Sequence, residues 1–225
     1  MEYIARIYND YKEKFGIPRQ SGRVNNISRV VFESKYRDPQ ALRGIDGFSH
    51  LWILFDFSLA HSENGSWSPT VRPPRLGGNK RMGVFATRSP FRPNNIGLSS
   101  VKLVKVDKNA EDGCFLVVEG ADILDGTPIY DIKPYLPYCD CHSDAVGGFA
   151  DGFTSYRLKV IDPDNLLAVY NEEDKAVVIG CIAEDPRPAY NNKTDEKSYS
   201  MRYGDYDVTF TVENGTAIVI GYRHI

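Results

Sequence analysis

The residues from Val71 to Gly97 combine prolines, glycines and basic residues in one block, which reads VRPPRLGGNKRMGVFATRSPFRPNNIG. Its prolines fix φ, while its glycines permit a positive φ or a close approach of the backbone to a ligand. Arginines are interleaved with both, and a guanidinium group can hold a carboxylate or a phosphate through paired hydrogen bonds. The block therefore predicts a binding loop for a nucleotide-like ligand. The alternative is an ordered connection whose arginines bind backbone carbonyl groups.

The charge of this region differs from that of the rest of the chain. No Asp or Glu occurs from Asn64 to Val106, although the whole chain has a formal net charge of −3. A positive segment can attract phosphate even on an acidic protein, because the field near a surface depends on nearby charges. A loop that carboxylates elsewhere in the fold neutralise is an equally good interpretation. The basic residues of the segment are Arg72, Arg75, Lys80, Arg81, Arg88, Arg92, Lys102 and Lys105.

Several common signatures of chemistry are absent from the sequence. There is no G-x-G-x-x-G after a predicted strand, and Gly77–Arg81 does not fit the spacing of a P-loop. Cys139–His142 (CDCH) resembles half of a metal site, but no second ligand pair lies at a suitable spacing, so we predict no metal. No pairing of Cys or Ser with His indicates nucleophilic catalysis.

The isolated histidines and aromatic residues are interpreted as structural. His50 lies in an apolar run and is expected to be a barrel histidine with satisfied hydrogen bonds, whereas His61 and His224 stand alone. The aromatic residues of the same run are expected in the core, namely Trp52, Phe55 and Phe57.

The elements that must position the loop are mostly short strands. Runs rich in β-branched and aromatic residues are separated by Gly, Pro, Asn and Asp clusters, a pattern typical of a barrel or a sandwich. The best helical period in this part of the chain is Asp38–Leu42. The predicted strands are Tyr3–Tyr8, Val30–Phe32, His50–Phe57, Met82–Thr87, Leu98–Val106 and Phe115–Glu119.

The composition changes after Tyr138. Residues 139–152 are small, polar and Gly-rich, which predicts a linker or mobile loop. A strand is predicted over Phe153–Val160, and short helices over Asp164–Tyr170 and Asp174–Ala183. Asn214-Gly215 suits a type I′ turn, so a hairpin is predicted from Val208–Val212 and Ala217–Tyr222. We predict a mainly β protein, with a β-rich domain over residues 1–138 and a small α+β domain over residues 153–225.

Length and composition place the chain among ordinary globular proteins. It has 225 residues, and no apolar run approaches the roughly 18 residues that a membrane span requires. The first fifteen residues contain no apolar core typical of a secretion signal. A chain of this length can bury a core without disulfides, so its four cysteines are expected to be reduced thiols in the cytoplasm.

The order of several motifs resembles that of the TrmO (TsaA-like) family. The run TVRPPRLGGNKRMGVFATRSPFRPNNIGLS is similar to the signature of that family, and four other segments follow the family order. These are Gly16–Gly22 (GIPRQSG), Phe48–Phe57 (FSHLWILFDF), Asp125–Tyr135 (DGTPIYDIKPY) and Glu184–Tyr190 (EDPRPAY). The resemblance implies a barrel methyltransferase, not a Rossmann fold, that uses S-adenosylmethionine and forms a homodimer. It further implies methylation of N6 of threonylcarbamoyl-adenosine at position 37 of threonine tRNA.

The same resemblance implies the residues that contact the cofactor. Arg19 is expected to pair with its carboxylate and Gln20 to hydrogen-bond it. Ser58 and Leu59 stand where the family often has His-Gln, and Asn95 replaces a common proline. Asp125 has the alternative of opening the DGTP turn. The cofactor-binding candidates are Pro18, Arg19, Gln20, Ser58, Leu59, Arg88, Leu98, Asp122, Ile123, Leu124 and Asp125.

Further candidates follow from residue type within the motifs. Asp131, Lys133 and Tyr135 are candidates to orient the substrate or to take a proton, although a strand-end ion pair is as good an explanation of the first two. Tyr190 is a possible base-stacking ring, and the segment around it is alternatively a clasp between domains. The candidate RNA contacts are Arg72, Arg75, Lys80, Arg81, Arg92, Arg187 and Tyr190.

Two other functions remain open on the sequence alone. One is a non-catalytic regulator that binds S-adenosylmethionine or tRNA on the same scaffold, and the other is a methyltransferase with a different substrate. Binding of S-adenosylmethionine would not distinguish a regulator from an enzyme, whereas transfer of a methyl group to tRNA would.

Overall fold

A computed structural model describes residues 1–62, 66–77, 79–109, 113–188 and 197–225. In these ranges the strands are β1 (Ala5–Tyr8), β2 (Ile27–Phe32), β3 (His50–Asp56), β4 (Thr70–Val71), β5 (Met82–Gly83), β6 (Ile96–Asp107), β7 (Phe115–Glu119), β8 (Pro128–Pro134), β9 (Lys159–Ile161), β10 (Ser198–Tyr203), β11 (Tyr206–Glu213) and β12 (Thr216–His224). The α-helices are α1 (Pro137–Asp140) and α2 (Glu172–Ala183). Short 3₁₀ turns cover Ser34–Tyr36, Pro39–Leu42, Ile45–Gly47, Pro74–Leu76, Val84–Ala86, Gly148–Phe153 and Leu166–Val169.

Six strands close into a barrel in the order β1-β2-β7-β6-β3-β8. All neighbouring pairs are antiparallel. Because successive side chains of a strand point to opposite faces, Leu51, Ile53 and Phe55 of β3 enter the barrel core and are almost fully buried. Closure pairs the edge strands, which is how small barrels avoid exposed edges. The predicted barrel is therefore confirmed.

The pairing of β3 with both of its neighbours defines a row of residues across the outside of the barrel. Leu54 lies opposite Leu98 of β6 on one side and opposite Asp131 of β8 on the other. Leu54 and Leu98 stand between buried neighbours, and Asp131 is in register with Leu54, so the three side chains share the outer face. This row connects a candidate cofactor residue with a candidate catalytic residue.

Two strand predictions needed correction in this half. The predicted strand Met82–Thr87 ends at Gly83, because Thr87 folds back and its N–H and hydroxyl both donate to the carbonyl of Val84. β8 was not predicted, although Pro128 and Pro134 occupy its first and last positions, where a missing N–H interrupts the ladder least.

The second sheet has the order β10-β11-β12-β9, in which β9 runs parallel to β12. Its core joins Val178 and Ile182 of α2 with Phe210 of β11. Tyr11 and Val24, which follow β1 in the chain, also lie in this core. The segment after β1 therefore contributes to the second core. The division into residues 1–138, 139–152 and 153–225 remains a prediction.

The hairpin β11–β12 is formed as predicted. Asn214 and Gly215 both have positive φ, at 48° and 75°, as a type I′ turn requires. α2 begins after Asn171, which caps it by accepting from the backbone N–H of Asp174, so the helix starts earlier than predicted.

The other predictions for helices and strands outside the barrel were too long. Of Phe153–Val160, only the last two residues lie in a strand, and Phe153 ends a 3₁₀ turn. Asp164–Tyr170 and Asp38–Leu42 contain single 3₁₀ turns, the second capped by Asp38 itself. One side chain satisfies the exposed N–H groups of such a short turn, so a longer helix is not required.

All four cysteines are free thiols, and Cys114 and Cys181 are buried. Among the described residues, no helix has the length and apolar character to cross a membrane.

Candidate functional site

The loop after β3 and the loop before β6 meet at one end of the barrel. The N–H of Phe57 donates to the carbonyl of Asn95 at 2.8 Å, and the Asn95 side chain donates to the carbonyls of Ala60 at 3.2 Å and Pro90 at 2.7 Å. Asn95, which replaces the proline common in the family, thus ties the loop after β3 to the loop before β6. We call residues 18–22, 57–61, 88–99 and 120–125 the barrel-end corner.

The basic block and the N-terminal motif meet directly in this corner. Arg88 donates to the side-chain oxygen of Gln20, and the N–H of Gly22 donates to the carbonyl of Gly120 at 2.8 Å. Residues from two predicted motifs and from the loop after β7, far apart in the chain, therefore lie within hydrogen-bonding distance. These loops therefore lie together in the fold, while their ligand contacts remain predictions.

Asp122 supplies a carboxylate to the same corner. Its Oδ1 accepts a hydrogen bond from the hydroxyl of Ser99, the β6 residue next to Leu98. Burial raises the pKa of Asp122, although the bond from Ser99 and the charge of Arg88 favour its ionised form. A carboxylate held in this way can accept hydrogen bonds from ligand hydroxyl or amino groups.

Arg19 lies behind the corner with one donor unused. Its Nη2 donates to the carbonyls of Pro186 at 3.3 Å and Arg187 at 3.1 Å, but its buried Nε has no partner among the described residues. Burial lowers the pKa of Arg19, and the nearby charge of Arg75 lowers it further. An incoming carboxylate would satisfy the Nε group and relieve the repulsion between the two guanidinium groups.

The apolar candidates line the open side of the corner. Leu98 is 55% exposed and Leu59 is 60% exposed. Pro18, the residue before Arg19, is buried. The ammonium group of Lys14 donates to the carbonyl of Leu59 at 3.2 Å and so fixes the turn that contains Ser58. These exposed aliphatic side chains offer an apolar surface beside the charged groups.

Asp125 and Ile123 serve the fold more than the corner. Asp125 accepts from the backbone N–H of Asn9 and from Lys12, both at 2.9 Å, which favours the alternative that it holds the DGTP turn. Ile123 is buried in the barrel core, and its carbonyl accepts from the Asn9 side chain. The carbonyl of Leu124 accepts from Thr127 within the same turn.

The three catalytic candidates do not lie together. Asp131 is opposite Leu54, near the corner, and forms an ion pair with Lys133 at 3.1 Å. Tyr135 donates its N–H to the carbonyl of His50, at the other end of β3. His50 and Leu54 are four residues apart, which corresponds to roughly 13 Å along a strand. Tyr135 therefore belongs to a different part of the outer face from Asp131.

The predicted RNA-contact residues divide into exposed and engaged side chains. Arg72 and Lys80 are exposed and form no hydrogen bond or ion pair with another described residue. Arg81 is exposed as well and donates to Thr70 at 2.8 Å. Arg92 instead donates to the carbonyls of Thr87 and Ser89 within its own loop.

Arg187 and Arg75 belong to a buried charge cluster instead. Arg187 is 4% exposed and forms an ion pair with Asp185 at 2.8 Å. Arg75 donates to the carbonyl of Glu184 and stacks on the ring of Tyr156, with 4.6 Å from guanidinium carbon to ring centre. These contacts favour the clasp between the two halves over a surface for RNA. Tyr190 lies outside the described residues.

Sequence reasoning missed an exposed aromatic group beside the free cations. Trp67 and Phe85 contact each other with ring centres 6.0 Å apart, and Phe85 is 72% exposed. Phe91, on the same basic block, is 60% exposed. The signal was present as aromatic residues among arginines, a pattern typical of surfaces that bind single-stranded nucleic acid.

The interpretation of two histidines and one tryptophan needed correction. His50 is exposed, because it is the first residue of β3 and bonds its neighbour Ser49. His61 does not stand alone, since its Nε2 lies 2.7 Å from Oδ1 of the buried Asp56. Trp52 lies on the outer face of β3, outside the core, and donates to Asp140 at 2.9 Å. Within the described ranges, no three His, Cys, Asp or Glu side chains cluster as a metal would require.

The end of the closed barrel therefore combines a buried guanidinium donor without a partner among the described residues, a partly buried carboxylate and exposed aliphatic side chains, a combination that suits a small polar ligand. A family model for the tRNA-methyltransferase O N-terminal domain matches residues 6–141, and a model for the TrmO C-terminal domain matches residues 165–225. The chain belongs to the TrmO family.

Individual relatives agree with this assignment. The chain is similar to a tRNA (adenine(37)-N6)-methyltransferase of Escherichia coli strain K12, with 41% identity over 219 residues that cover 94% of this chain and 92% of the relative. It is 36% identical to a putative S-adenosylmethionine-dependent methyltransferase RcsF of Pseudomonas aeruginosa, over 91% of this chain and 89% of the relative. A crystal structure of TrmO from Pseudomonas aeruginosa superposes with a TM-score of 0.74 and 30% identity, covering 98% of this chain and 97% of that one.

Proposed function

We propose that this protein transfers a methyl group from S-adenosylmethionine to N6 of adenosine 37 in tRNA. The observation that carries the proposal is the barrel-end corner, where Arg88, Gln20 and Asp122 converge in a chain of this family. The relatives are named as methyltransferases, which indicates the reaction. The corner is the site that we propose for the cofactor of that reaction.

The residues of the corner fit the functional groups of S-adenosylmethionine. The unpartnered Nε of Arg19 fits the carboxylate of the methionine part, and Asp122 fits the hydroxyl or amino groups of the adenosine part. Leu59 and Leu98 offer apolar surface to the same molecule. When bound, the cofactor supplies an electrophilic methyl group on a positively charged sulfur.

The contribution of the chain to the reaction is mainly positioning. Ideal alignment of two reactants is worth on the order of 7–11 kcal/mol of the barrier. The row Leu98–Leu54–Asp131 places a polar pair, Asp131 with Lys133, beside the apolar side of the corner. We assign these two side chains to orienting the RNA base. Tyr135 is assigned to more distant RNA contacts, because it lies at the other end of β3.

The RNA would lie along the exposed face of the basic block. Arg72, Lys80 and Arg81 offer phosphate contacts, and the rings of Trp67 and Phe85 offer stacking surfaces for unpaired bases. An anticodon loop presents both phosphate groups and unpaired bases. Arg92 and Arg75 are placed to hold this surface in shape, because their guanidinium groups bond backbone carbonyls.

Finer features of the proposal follow the family resemblance. The acceptor would be threonylcarbamoyl-adenosine of threonine tRNA, whose urea carbonyl makes the N6 proton more acidic than that of adenosine. The protein would act as a homodimer in the cytoplasm, where its tRNA substrate is found.

The test is transfer of a labelled methyl group from S-adenosylmethionine to total tRNA, followed by nucleoside analysis. The proposal predicts a single labelled product, the N6-methylated form of a modified adenosine from position 37. Binding of the cofactor without transfer would instead indicate the regulator, and label in another nucleoside would indicate a different substrate.

A further inference from the structure

One buried carboxylate near the corner has no part in the function described so far. Asp56, the last residue of β3, is 3% exposed, yet it lies at the rim of the barrel end. Tyr3 donates its hydroxyl to Oδ2 at 3.0 Å, and Nε2 of His61 lies 2.7 Å from Oδ1. Both carboxylate oxygens therefore have partners, and Tyr130 also hydrogen-bonds this carboxylate.

The imidazole that Asp56 holds is open to solvent on its other side. The side chain of His61 is 53% exposed, and its Nδ1 bonds no other described residue. Because Asp56 accepts from Nε2, the neutral ring carries its proton there and presents Nδ1 as an acceptor. A carboxylate that fixes the tautomer of a histidine in this way prepares it to receive a proton at the opposite nitrogen.

The position of this pair relates it to the proposed acceptor base. In β3, Asp56 follows Leu54 by two residues and lies on the same outer face, about 7 Å further along the strand. Leu54 itself lies between Leu98 and Asp131. His61 ends the turn that begins with Ser58 and Leu59, and this turn is tied to the loop before β6 through Asn95. The imidazole is therefore at the rim of the corner.

The neighbourhood of Asp56 is polar but contains no competing cation among the described contacts. The rings of Tyr3 and Tyr130 lie 5.1 Å apart, and burial, followed by the hydroxyl of Tyr3, raises the pKa of Tyr130 to about 12. Tyr130 therefore stays protonated near neutral pH. The imidazole of His61 is the basic nitrogen group that contacts Asp56.

We propose that His61 is the proton acceptor of the methyl transfer and that Asp56 is its positioning residue. This inference rests on the proposed function. As the lone pair of N6 forms the new N–C bond, the S–C bond breaks and its electron pair stays on the departing thioether. The N6 proton passes to Nδ1 of His61, and the resulting imidazolium is stabilised by its ion pair with Asp56. The proton then leaves to solvent from the exposed face of the ring.

The first test measures single-turnover methylation of tRNA by His61→Gln. Glutamine keeps a hydrogen bond to Asp56 but cannot accept the proton, so we expect a fall in rate of about 100-fold or more. Affinities for S-adenosylhomocysteine and for tRNA should stay near the wild-type values. His224→Gln, on the second sheet, is the matched control and should keep the wild-type rate. Added imidazole should partly restore the rate of His61→Ala.

The second test includes a measurement that does not depend on activity. Nitrogen–proton NMR of the labelled protein without ligands should show His61 as the tautomer protonated at Nε2. Asp56→Asn should shift the ring toward the other tautomer and lower the methylation rate, while its melting temperature establishes that it folds. Asp131→Asn tests the competing assignment, in which Asp131 accepts the proton.

The outcomes separate the two proposals. A wild-type protein that binds S-adenosylmethionine but methylates no tRNA overturns the proposed function and this inference with it. If the wild type methylates tRNA and His61→Gln retains the wild-type rate, only the role of His61 is wrong. A large loss in Asp131→Asn together with an unchanged His61→Gln would assign the proton to Asp131 instead.

Discussion

At the scale of residues, the corner depends on charged groups held in places that cost the fold stability. Asp122 is kept partly buried beside Ser99, and Arg19 keeps a buried donor without a partner among the described residues. Such arrangements are typical of binding sites, because the ligand supplies the missing interactions. Motif composition predicted which residues take part. It could not predict the Asp56–His61 pair, because that contact depends on how the turn after β3 folds back.

Asp122→Asn should make the protein more stable at neutral pH while weakening cofactor binding. Since the folded state raises the pKa of Asp122, it binds the proton more tightly than the unfolded chain does. Stability is therefore lost as pH rises from the ordinary Asp range, about 3.9, through the raised folded value. Melting temperatures should be higher for the variant at pH 7 and converge with the wild type near about pH 3. A lower melting temperature for the variant at pH 7 would contradict this account.

At the scale of elements, strand pairing decides what the corner can contain. Gly97 lies in β6 opposite Phe55, and a Cβ on it would come within 2.2 Å of that ring. The sequence predicted either close approach or positive φ for the glycines of the basic block. Gly97 shows the first and Gly77, with φ of 77°, shows the second. Which glycine has which purpose depends on tertiary neighbours, so the sequence alone could not distinguish them.

Gly97→Ala should therefore destabilise the protein by about 1–3 kcal/mol, because Phe55 must leave its place in the barrel core. Gly83→Ala is the control, since Gly83 has negative φ and open space where the added methyl group would lie. Chemical denaturation measures both. Equal free energies of unfolding for the two variants would show that the contact with Phe55 does not affect the stability.

The clasp between the halves of the chain provides a second prediction at this scale. Asp185→Asn removes the charge that pairs with the buried Arg187, and Asn tolerates the positive φ of 49° at this position. Removing one partner of a buried ion pair costs about 3–5 kcal/mol, so the melting temperature should fall by roughly 2–4 °C for each of these kcal/mol. The exposed Asp144→Asn should melt like the wild type. If both variants melt alike, Arg187 has another source of compensation.

At the scale of the whole molecule, the chain has an acidic net charge but also a local basic surface. The exposed cations of the block face solvent, whereas Lys102 and Lys105 pair with Glu119 at 3.3 Å and Asp107 at 2.9 Å. The exposed and the ion-paired residues thus correspond to the two interpretations of the segment from Asn64 to Val106, and phosphate binding by the exposed ones remains a prediction. Charge patterning predicted the segment, but only the fold distinguishes free from neutralised cations. The barrel and the hairpin were predictable because alternation and turn residues are local, whereas contacts such as Arg19 with the carbonyl of Pro186 are not.

The double variant Arg72→Ala/Lys80→Ala should weaken tRNA binding and flatten its dependence on salt. Each lost phosphate contact lowers the slope of log affinity against log salt by about 0.7–0.9. Lys102→Ala/Lys105→Ala removes the same formal charge from ion-paired residues and should change the slope little. Filter binding at several salt concentrations compares the two. Equal slopes for both variants would place the RNA elsewhere.

The central claim is that the barrel-end corner holds the methyl donor. A crystal structure with S-adenosylhomocysteine tests it most directly. We expect the ligand against Arg88 and Asp122, with its carboxylate near the Nε of Arg19. Ligand bound at another surface, with the corner unchanged, would contradict the claim.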